Sequence, residues 1–337
     1  MLMSSIAPAS TVRKIDVTVV VCTRNRVRQL ETCLHSISCA IKHQDKEIEV
    51  VIVDNGSNDN TRQVAHSWVS TRSFPAQVVC EDRPGLAVAR NTAVRKAKGD
   101  LIVFTDDDCT LAPAYFQKMG LHFAADSSPV IRGGRVELGN LMDLDFTTKH
   151  SLEISRLEDV ACVAGFILGC NMIFPRKIFA SIGYFDERFG AGGLFRSGEE
   201  TDLICRAYLA GIPIEYVPDM VVQHHHGRQN PHEIRKLHFD YCIGKGALYS
   251  KYCYSGPRLL RHLYWDSRKT IFEMLGGGTI NREFGLTYRE TLAANLLGMS
   301  LYALNRADEL THSILAAINR TARCLLLRTI EDSWPKR

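Results

Sequence analysis

The chain has 337 residues, with 41 Lys and Arg against 37 Asp and Glu, giving a formal net charge of +4. Hydrophobic residues make up 45% and charged ones 23%, which excludes a disordered chain, a collagen-like fibre and a small disulfide-stapled scaffold. The length suits two domains or one enlarged one, and a charge this close to balance advertises no nucleic-acid partner.

Residues 1–14 read as a flexible N-terminus without the charged start and long apolar run of a signal peptide. From there strand-like and helix-like patterns alternate. Val17–Cys22 is a β-branched run ending in the polar Thr23-Arg24-Asn25-Arg26, followed by Leu30, Cys33, Leu34, Ile37 and Ile41 at helical spacing. Ile48–Val53 is a second buried-type strand, closed by Asp54-Asn55-Gly56-Ser57, and Val64 and Trp68 mark the next helix. Ala76–Cys80 predicts a third strand. Gly85–Lys98 predicts a helix with Leu86, Ala89, Ala93 and Ala97 on one stripe. Leu101–Phe104 predicts a fourth strand, which runs into Thr105-Asp106-Asp107-Asp108.

Near-continuous apolar strands alternating with helices indicate a parallel α/β sheet covered on both faces, where ligands bind beyond the carboxyl ends of the strands. The polar punctuation collects at those ends. Beyond residue 130 the pattern is less regular. Val130–Leu138 predicts a strand, Gly190–Gly198 a glycine-rich loop, and Glu199-Glu200-Thr201-Asp202 starts a helix ended by Gly211. Ile212–Val217 predicts a strand stopped by Pro218, then Val221-Val222 leads to His224-His225-His226, and the chain from Glu233 onward reads as mostly helical. No internal repeat stands out.

The 11 cysteines include no C-x-x-C pair, which argues against a zinc ribbon or a thioredoxin-type motif and suits a reducing compartment. No segment reaches the ~18 apolar residues of a membrane span, so a cytoplasmic location is expected.

Three successive carboxylates at a strand end repel one another unless a positive charge relieves them. A Mg²⁺ or Mn²⁺ that keeps phosphates as further ligands is the natural relief; a solvated acidic turn is the plain alternative. Arg24, Arg26, Arg83 and Arg90 can meet a diphosphate or a base, with surface solvation as the alternative, above all for Arg26 and Arg90. Asp54 can accept from a ribose or a base edge, or bond its own loop as an Asx turn. The acids at 199, 200 and 202 either balance a helix N-terminus or include a general base.

These motifs in this order resemble the family 2 glycosyltransferases, inverting enzymes of the GT-A fold that use nucleotide sugars. The resemblance rests on Cys22-Thr23-Arg24-Asn25-Arg26, Val51–Ser57, Arg83-Pro84-Gly85-Leu86-Ala87 with Ala89-Arg90-Asn91, and Phe104–Asp108. It continues through Gly169-Cys170-Asn171-Met172, Gly183–Glu187, Gly198–Leu203 and Val222-Gln223-His224, covering about residues 15–230. It implies a GT-A Rossmann-like, mostly parallel sheet flanked by helices over 15–230. The nucleotide-binding half would span about 15–110 and the acceptor half about 111–230, with a helical extension over 231–337.

The resemblance further implies that Thr23, Arg24, Asn25, Asp54, Asn55, Arg83, Asn91, Asp106 and Asp107 hold the nucleotide, most often UDP in this family. Asp106, Asp108 and His224 would hold Mn²⁺ or Mg²⁺. Where the commonest family pattern reads Glu-Asp this chain reads Glu199-Glu200, so Glu200 is expected as the base with Asp202 in reserve. The expected activity is inverting transfer of a sugar to an acceptor hydroxyl in polysaccharide or glycolipid synthesis. A non-catalytic nucleotide-sugar-binding protein and a metal-dependent phosphatase are the alternatives.

The segment from Arg228 to Lys269 carries nine cations against three acids, interleaved with Tyr241, Tyr249, Tyr252, Tyr254, Tyr264 and Trp265. Such helices either lie on an anionic membrane, where a lipid-linked saccharide acceptor would be met, or pack on the catalytic part or in a homodimer.

Overall fold

The computed structural model describes residues 15–42, 46–124 and 126–309; the expected N-terminal leader, 1–14, and the end of the helical extension, 310–337, lie outside them. The first half alternates as its hydrophobic pattern predicts: β1 (Val17–Thr23), α1 (Val27–Ile41), β2 (Ile48–Asp54), α2 (Thr61–Ser70), β3 (Ala76–Cys80), α3 (Leu86–Lys96) and β4 (Leu101–Asp106). There follow β5 (Cys109–Leu111), α4 (Tyr115–Phe123), β6 (Ile131–Leu138), β7 (Ser155–Arg156), β8 (Met172–Pro175) and the short α5 (Phe179–Ile182). The chain goes on through α6 (Glu199–Leu209), β9 (Ile214–His224), α7 (Pro231–Lys251) and α8 (Leu260–Met274), and residues 288–309 are a further helix, α9.

The nine strands among the described residues form one sheet in the order β3-β2-β1-β4-β8-β6-β9-β5, with β7 added beside β9. β1 to β4 pair in parallel, β8 runs antiparallel between β4 and β6, and β6 and β9 are parallel. This is the mostly parallel α/β sheet expected. Alternate residues feed two cores. Val19, Val21, Val50 and Ile52 pack toward Leu30, Leu34 and Ile37 of α1, whereas Val20, Val51 and Phe104 pack toward Ala89 and Ala93 of α3 and Leu203 of α6. Each such side chain removed from water contributes about 1.5–3 kcal/mol, so both faces of β1 and β2 must be covered and the sheet sits central.

One expectation changes. β9 does not stop at Pro218 but runs through it: Gly134 pairs with Val217 and Arg135 with Val221, so residues 218–220 form a bulge. A bulge leaves unpaired positions, which a residue lacking an N–H can fill without breaking the ladder. Beyond residue 230 the first part of the expected helical extension packs on the catalytic part, one of the alternatives the sequence left open. Ala247, Leu248 and Tyr249 of α7 join the same apolar cluster as Phe104 and Leu203, and Tyr252 joins it too. Among the described residues no helix is long and apolar enough to cross a membrane.

Candidate functional site

A cavity of about 670 Å³ opens where β1 and β4 end and α6 begins, with the last residue of β9 on its wall. The parallel register places Cys22 beside Asp106 and Thr23 beside Asp54, so the polar residues that end neighbouring strands lie side by side.

Asp106, Asp107 and Asp108 all line the cavity, and each meets a different partner. Asp106 Oδ1 accepts from Arg90 Nη2 at 3.1 Å. Asp107 Oδ2 accepts from Thr23 Oγ1 at 2.7 Å; burial pushes its carboxyl up to about 7 against the pull of that hydrogen bond. Asp108 lies between Arg26 Nη1, 2.9 Å from Oδ2, and His224 Nε2, 3.3 Å from Oδ1. Burial opposes the charge on Asp108, yet the His224 hydrogen bond and the charges of His224 and Arg26 hold it down at about 2. Burial likewise works against a charged His224, and the hydrogen bond to Asp108 together with the surrounding negative charges outweighs it, raising the imidazole to about 9.

This donor set fits a hard or borderline divalent cation. Asp108, Cys109 and His224 each bring a ligand atom within 4.8 Å of the others, a grouping that can hold a divalent cation. Of the three histidines at the end of β9, His224 alone lines the cavity. His225 meets Thr110 at 3.2 Å, and His226 is buried 3.8 Å from Asp143.

On the other side, Gly198 adopts φ +86 and turns the glycine-rich loop into α6. The turn brings Glu199 and Glu200 to the cavity at a positive helix end. Glu199 is buried and accepts from Arg90 Nη1 at 2.6 Å. Glu200 is partly buried and lines the cavity; burial first, and the neighbouring Glu199 charge second, push its carboxyl up to about 8 against the pull of Arg90. Asp202 does not line the cavity. It is fully buried, with Oδ2 accepting from Arg206 and Oδ1 facing Lys251 Nζ at 2.6 Å and the Tyr252 hydroxyl at 2.8 Å. All its acceptor capacity is engaged by structure, so the place given it as reserve base does not agree with the fold.

The expected nucleotide residues divide in two. Thr23, Arg24, Asn55, Asp106 and Asp107 line the cavity, whereas Asn25, Asp54, Arg83 and Asn91 do not. Asp54 accepts from Ser57 N–H and from Arg62 at 2.8 Å, the Asx-turn alternative with a cation added. Asn25, at φ +54, accepts from the Asn58 N–H. Arg83 is exposed between Glu81 and Glu187, and Asn91 holds the backbone of Phe185 from both sides of its amide.

Arg90 and Arg26 both line the cavity and reach its acidic residues. Arg90 is 2% exposed. Its position four after Leu86 and three before Ala93 puts it on the inward stripe of α3, a signal already in the sequence. No motif signalled the far wall. There Tyr241, His238 and Lys245 of α7 line the cavity with Phe146 and Arg228. The rings of Phe146 and Tyr241 stack with centroids 6.2 Å apart and planes 15° apart. Among the described residues no carboxylate pairs with Arg24 or Arg228.

Residues 18–183 match the glycosyl transferase family 2 profile. Glycosyltransferase AglE of Haloferax volcanii is 29% identical over 216 residues, 62% of this chain and 66% of that protein. Poly-beta-1,6-N-acetyl-D-glucosamine synthase of Staphylococcus epidermidis is 25% identical over 163 residues, 46% of this chain and 39% of the synthase. The aligned stretches thus span under two thirds of either relative. Among solved structures, the mannosyltransferase PcManGT of Pyrobaculum calidifontis, in complex with GDP-Man and Mn²⁺, superposes with a TM-score of 0.51 at 21% identity. That superposition covers 96% of this chain and 83% of the other and shows a shared GT-A fold.

Proposed function

With residues 18–183 making this chain a member of glycosyl transferase family 2, we propose that it moves a sugar from a nucleotide-sugar donor to an acceptor hydroxyl with inversion at the anomeric carbon. The observation that carries this reading is the placement of Glu200 across one cavity from Asp106, Asp107 and Asp108. A group to be protonated and a group to leave need opposite surroundings, and this cavity offers both.

Thr23, Arg24 and Asn55 line the end of the cavity where a nucleotide fits, and Arg24 has no carboxylate to satisfy before it meets a phosphate. A Mn²⁺ or Mg²⁺ held by Asp106, Asp108 and His224 would offset the charge building on the leaving diphosphate. Glu200 takes the proton of the acceptor hydroxyl as that oxygen attacks the anomeric carbon, and the electron pair of the breaking bond leaves with the diphosphate on the opposite face. Arg90 keeps Glu199 neutralised beside the base, so Glu200 faces one repulsive neighbour whose charge is already paired. The stacked Phe146 and Tyr241 supply a flat apolar wall for the acceptor ring, with Arg228 beside them for an anionic group on the acceptor.

A UDP-sugar is the first donor to test and GDP-mannose, the ligand of the archaeal neighbour, the second; a polysaccharide or lipid-linked saccharide is the acceptor class. A panel of nucleotide sugars, with Mn²⁺ or Mg²⁺ and without, tests the reading by thermal stabilisation and by donor hydrolysis. One donor should raise the melting temperature in a cation-dependent way, and Glu200→Gln should keep that shift while losing about 10²–10⁴-fold in transfer. Full transfer by Glu200→Gln, or no stabilisation by any donor, would overturn it.

A further inference from the structure

The basic, aromatic segment singled out in the sequence divides sharply by face. α7 is absorbed into the core, and α8 turns one stripe inward. On that stripe Asp266 meets Lys245 and Asn295, and Glu273 accepts from the backbone N–H groups of Tyr288 and Arg289. Both acids of α8 are therefore spent on the interior.

The opposite stripe, Arg261, Trp265, Arg268, Phe272 and Leu275, recurs at four- and three-residue spacing and is exposed throughout. Tyr264, Lys269, Ile271 and Met274 flank it, also exposed. Phe272, Met274 and Leu275 are 63, 75 and 81% exposed, an unusual concentration of large apolar side chains at one helix end. Arg268 lies over both Tyr264 and Trp265, with its guanidinium 5.8 and 5.4 Å from the two ring centres. Arg261 faces Asp159 at 3.3 Å, but among the described residues no carboxylate pairs with Arg258, Arg268 or Lys269.

We propose that this outer face of α8 docks on an anionic lipid surface, with Phe272, Met274 and Leu275 entering the headgroup boundary and Arg258, Arg268 and Lys269 meeting lipid phosphates. Charge complementarity selects this occupant. A second copy would bring the same cations against themselves. The rest of the chain, 310–337, carries Arg320, Arg323, Arg328, Lys336 and Arg337 against Glu331 and Asp332 and is basic as well. An anionic bilayer supplies opposite charge, an apolar layer for the aliphatic end and an interface that favours Tyr and Trp. Asp266 of α8 also holds Lys245 of α7, which lines the cavity, so the docked helix is tied directly to a wall of the site.

Co-sedimentation of the full chain with vesicles of phosphatidylcholine alone, and of phosphatidylcholine mixed with phosphatidylglycerol, tests this. Binding is expected to the mixed vesicles only and to weaken with salt. Arg268→Ala with Lys269→Ala should weaken partitioning roughly 25-fold, at about fivefold per cation removed, with an unchanged melting temperature. Phe272→Ser with Leu275→Ser should release the protein at any salt concentration.

No binding of the intact chain to the mixed vesicles would overturn the proposal. So would binding that survives both pairs of substitutions, as it would if another exposed apolar pair such as Leu141 and Met142 carried it. A dimer in solution that is abolished by Phe272→Ser would hand the face to a second copy and equally overturn it.

Discussion

Arg90 Nη1 stands 2.6 Å from Glu199 Oε1, both side chains buried, and the other arm of the same guanidinium reaches Asp106 Oδ1 at 3.1 Å and the Gly169 carbonyl at 3.2 Å. One cation thus joins the acidic end of β4 to the start of α6. A charge this deep is tolerated because both arms of the guanidinium have acceptors; its removal strands the buried Glu199 without a donor.

Arg90→Met should therefore destabilise the fold by about 3–5 kcal/mol, the cost of breaking a buried pair from one side. Arg90→Lys should recover part of that, since an ammonium cannot span both carboxylates. Urea denaturation of the three proteins measures it, and a loss below about 1 kcal/mol for Arg90→Met would mean that Glu199 finds water or another partner.

Much of this arrangement was legible in residue order. Val17–Cys22, Ile48–Val53 and Leu101–Phe104 announce a parallel sheet because strands buried on both faces have no polar alternation, and their abrupt polar ends place Thr23, Asn55 and Asp106 in one crevice. What stayed hidden depends on distance along the chain. Glu199 is 109 residues from Arg90, so the inward stripe of α3 could point to burial of the arginine but not to its partner. Asp54 and Asp202 show the opposite failure. Their residue type and position suit a site, yet Arg62 in one case, and Arg206, Lys251 and Tyr252 in the other, engage them first. The wall made by Tyr241 and Phe146 joins residues 95 apart and carries no local pattern at all.

Glu200 yields a pH prediction in two readouts. Its carboxyl is raised from 4.5 to about 8, chiefly by burial, and only the ionised form can accept the acceptor's proton. kcat/KM should then climb about tenfold per pH unit below 8 and level off above it. Stability runs the other way. Between 4.5 and 8 the folded protein keeps a proton that the unfolded chain has released, so this group's contribution is complete below 4.5 and is lost as pH rises through 8. Glu200→Gln should flatten both profiles, and a rate rising below pH 6 to a plateau would show that another group sets the limb.

Gly246 of α7 and Gly298 of α9 let the two helices touch backbone to backbone. A Cβ at Gly298 would run into the Ile243 carbonyl, and one at Gly246 into the Asn295 carbonyl. In an open helix Gly→Ala stabilises by about 1 kcal/mol. Here the sign should reverse, with Gly298→Ala costing about 1–3 kcal/mol as α9 is pushed off α7. Thermal unfolding checks it, and a rise in melting temperature would mean that the helices separate without penalty.

Glu200 and Asp202 lie two residues apart on α6 yet should fail in opposite ways when altered. Asp202 is the shared acceptor of Arg206, Lys251 and Tyr252, so Asp202→Ala leaves cations and a hydroxyl without their carboxylate and should cost about 3–5 kcal/mol. The part of the preparation that remains folded should still transfer sugar at near the parent rate, because no reacting atom touches Asp202. Glu200→Gln should lose transfer yet, at neutral pH, unfold at or above the parent denaturant concentration, because the fold no longer has to hold a proton that the unfolded chain releases. Specific activity per folded molecule, set beside the denaturation midpoint, separates the two. If Asp202→Ala were inactive while fully folded, the base would have to be reassigned and the cavity would have to rearrange when substrate binds.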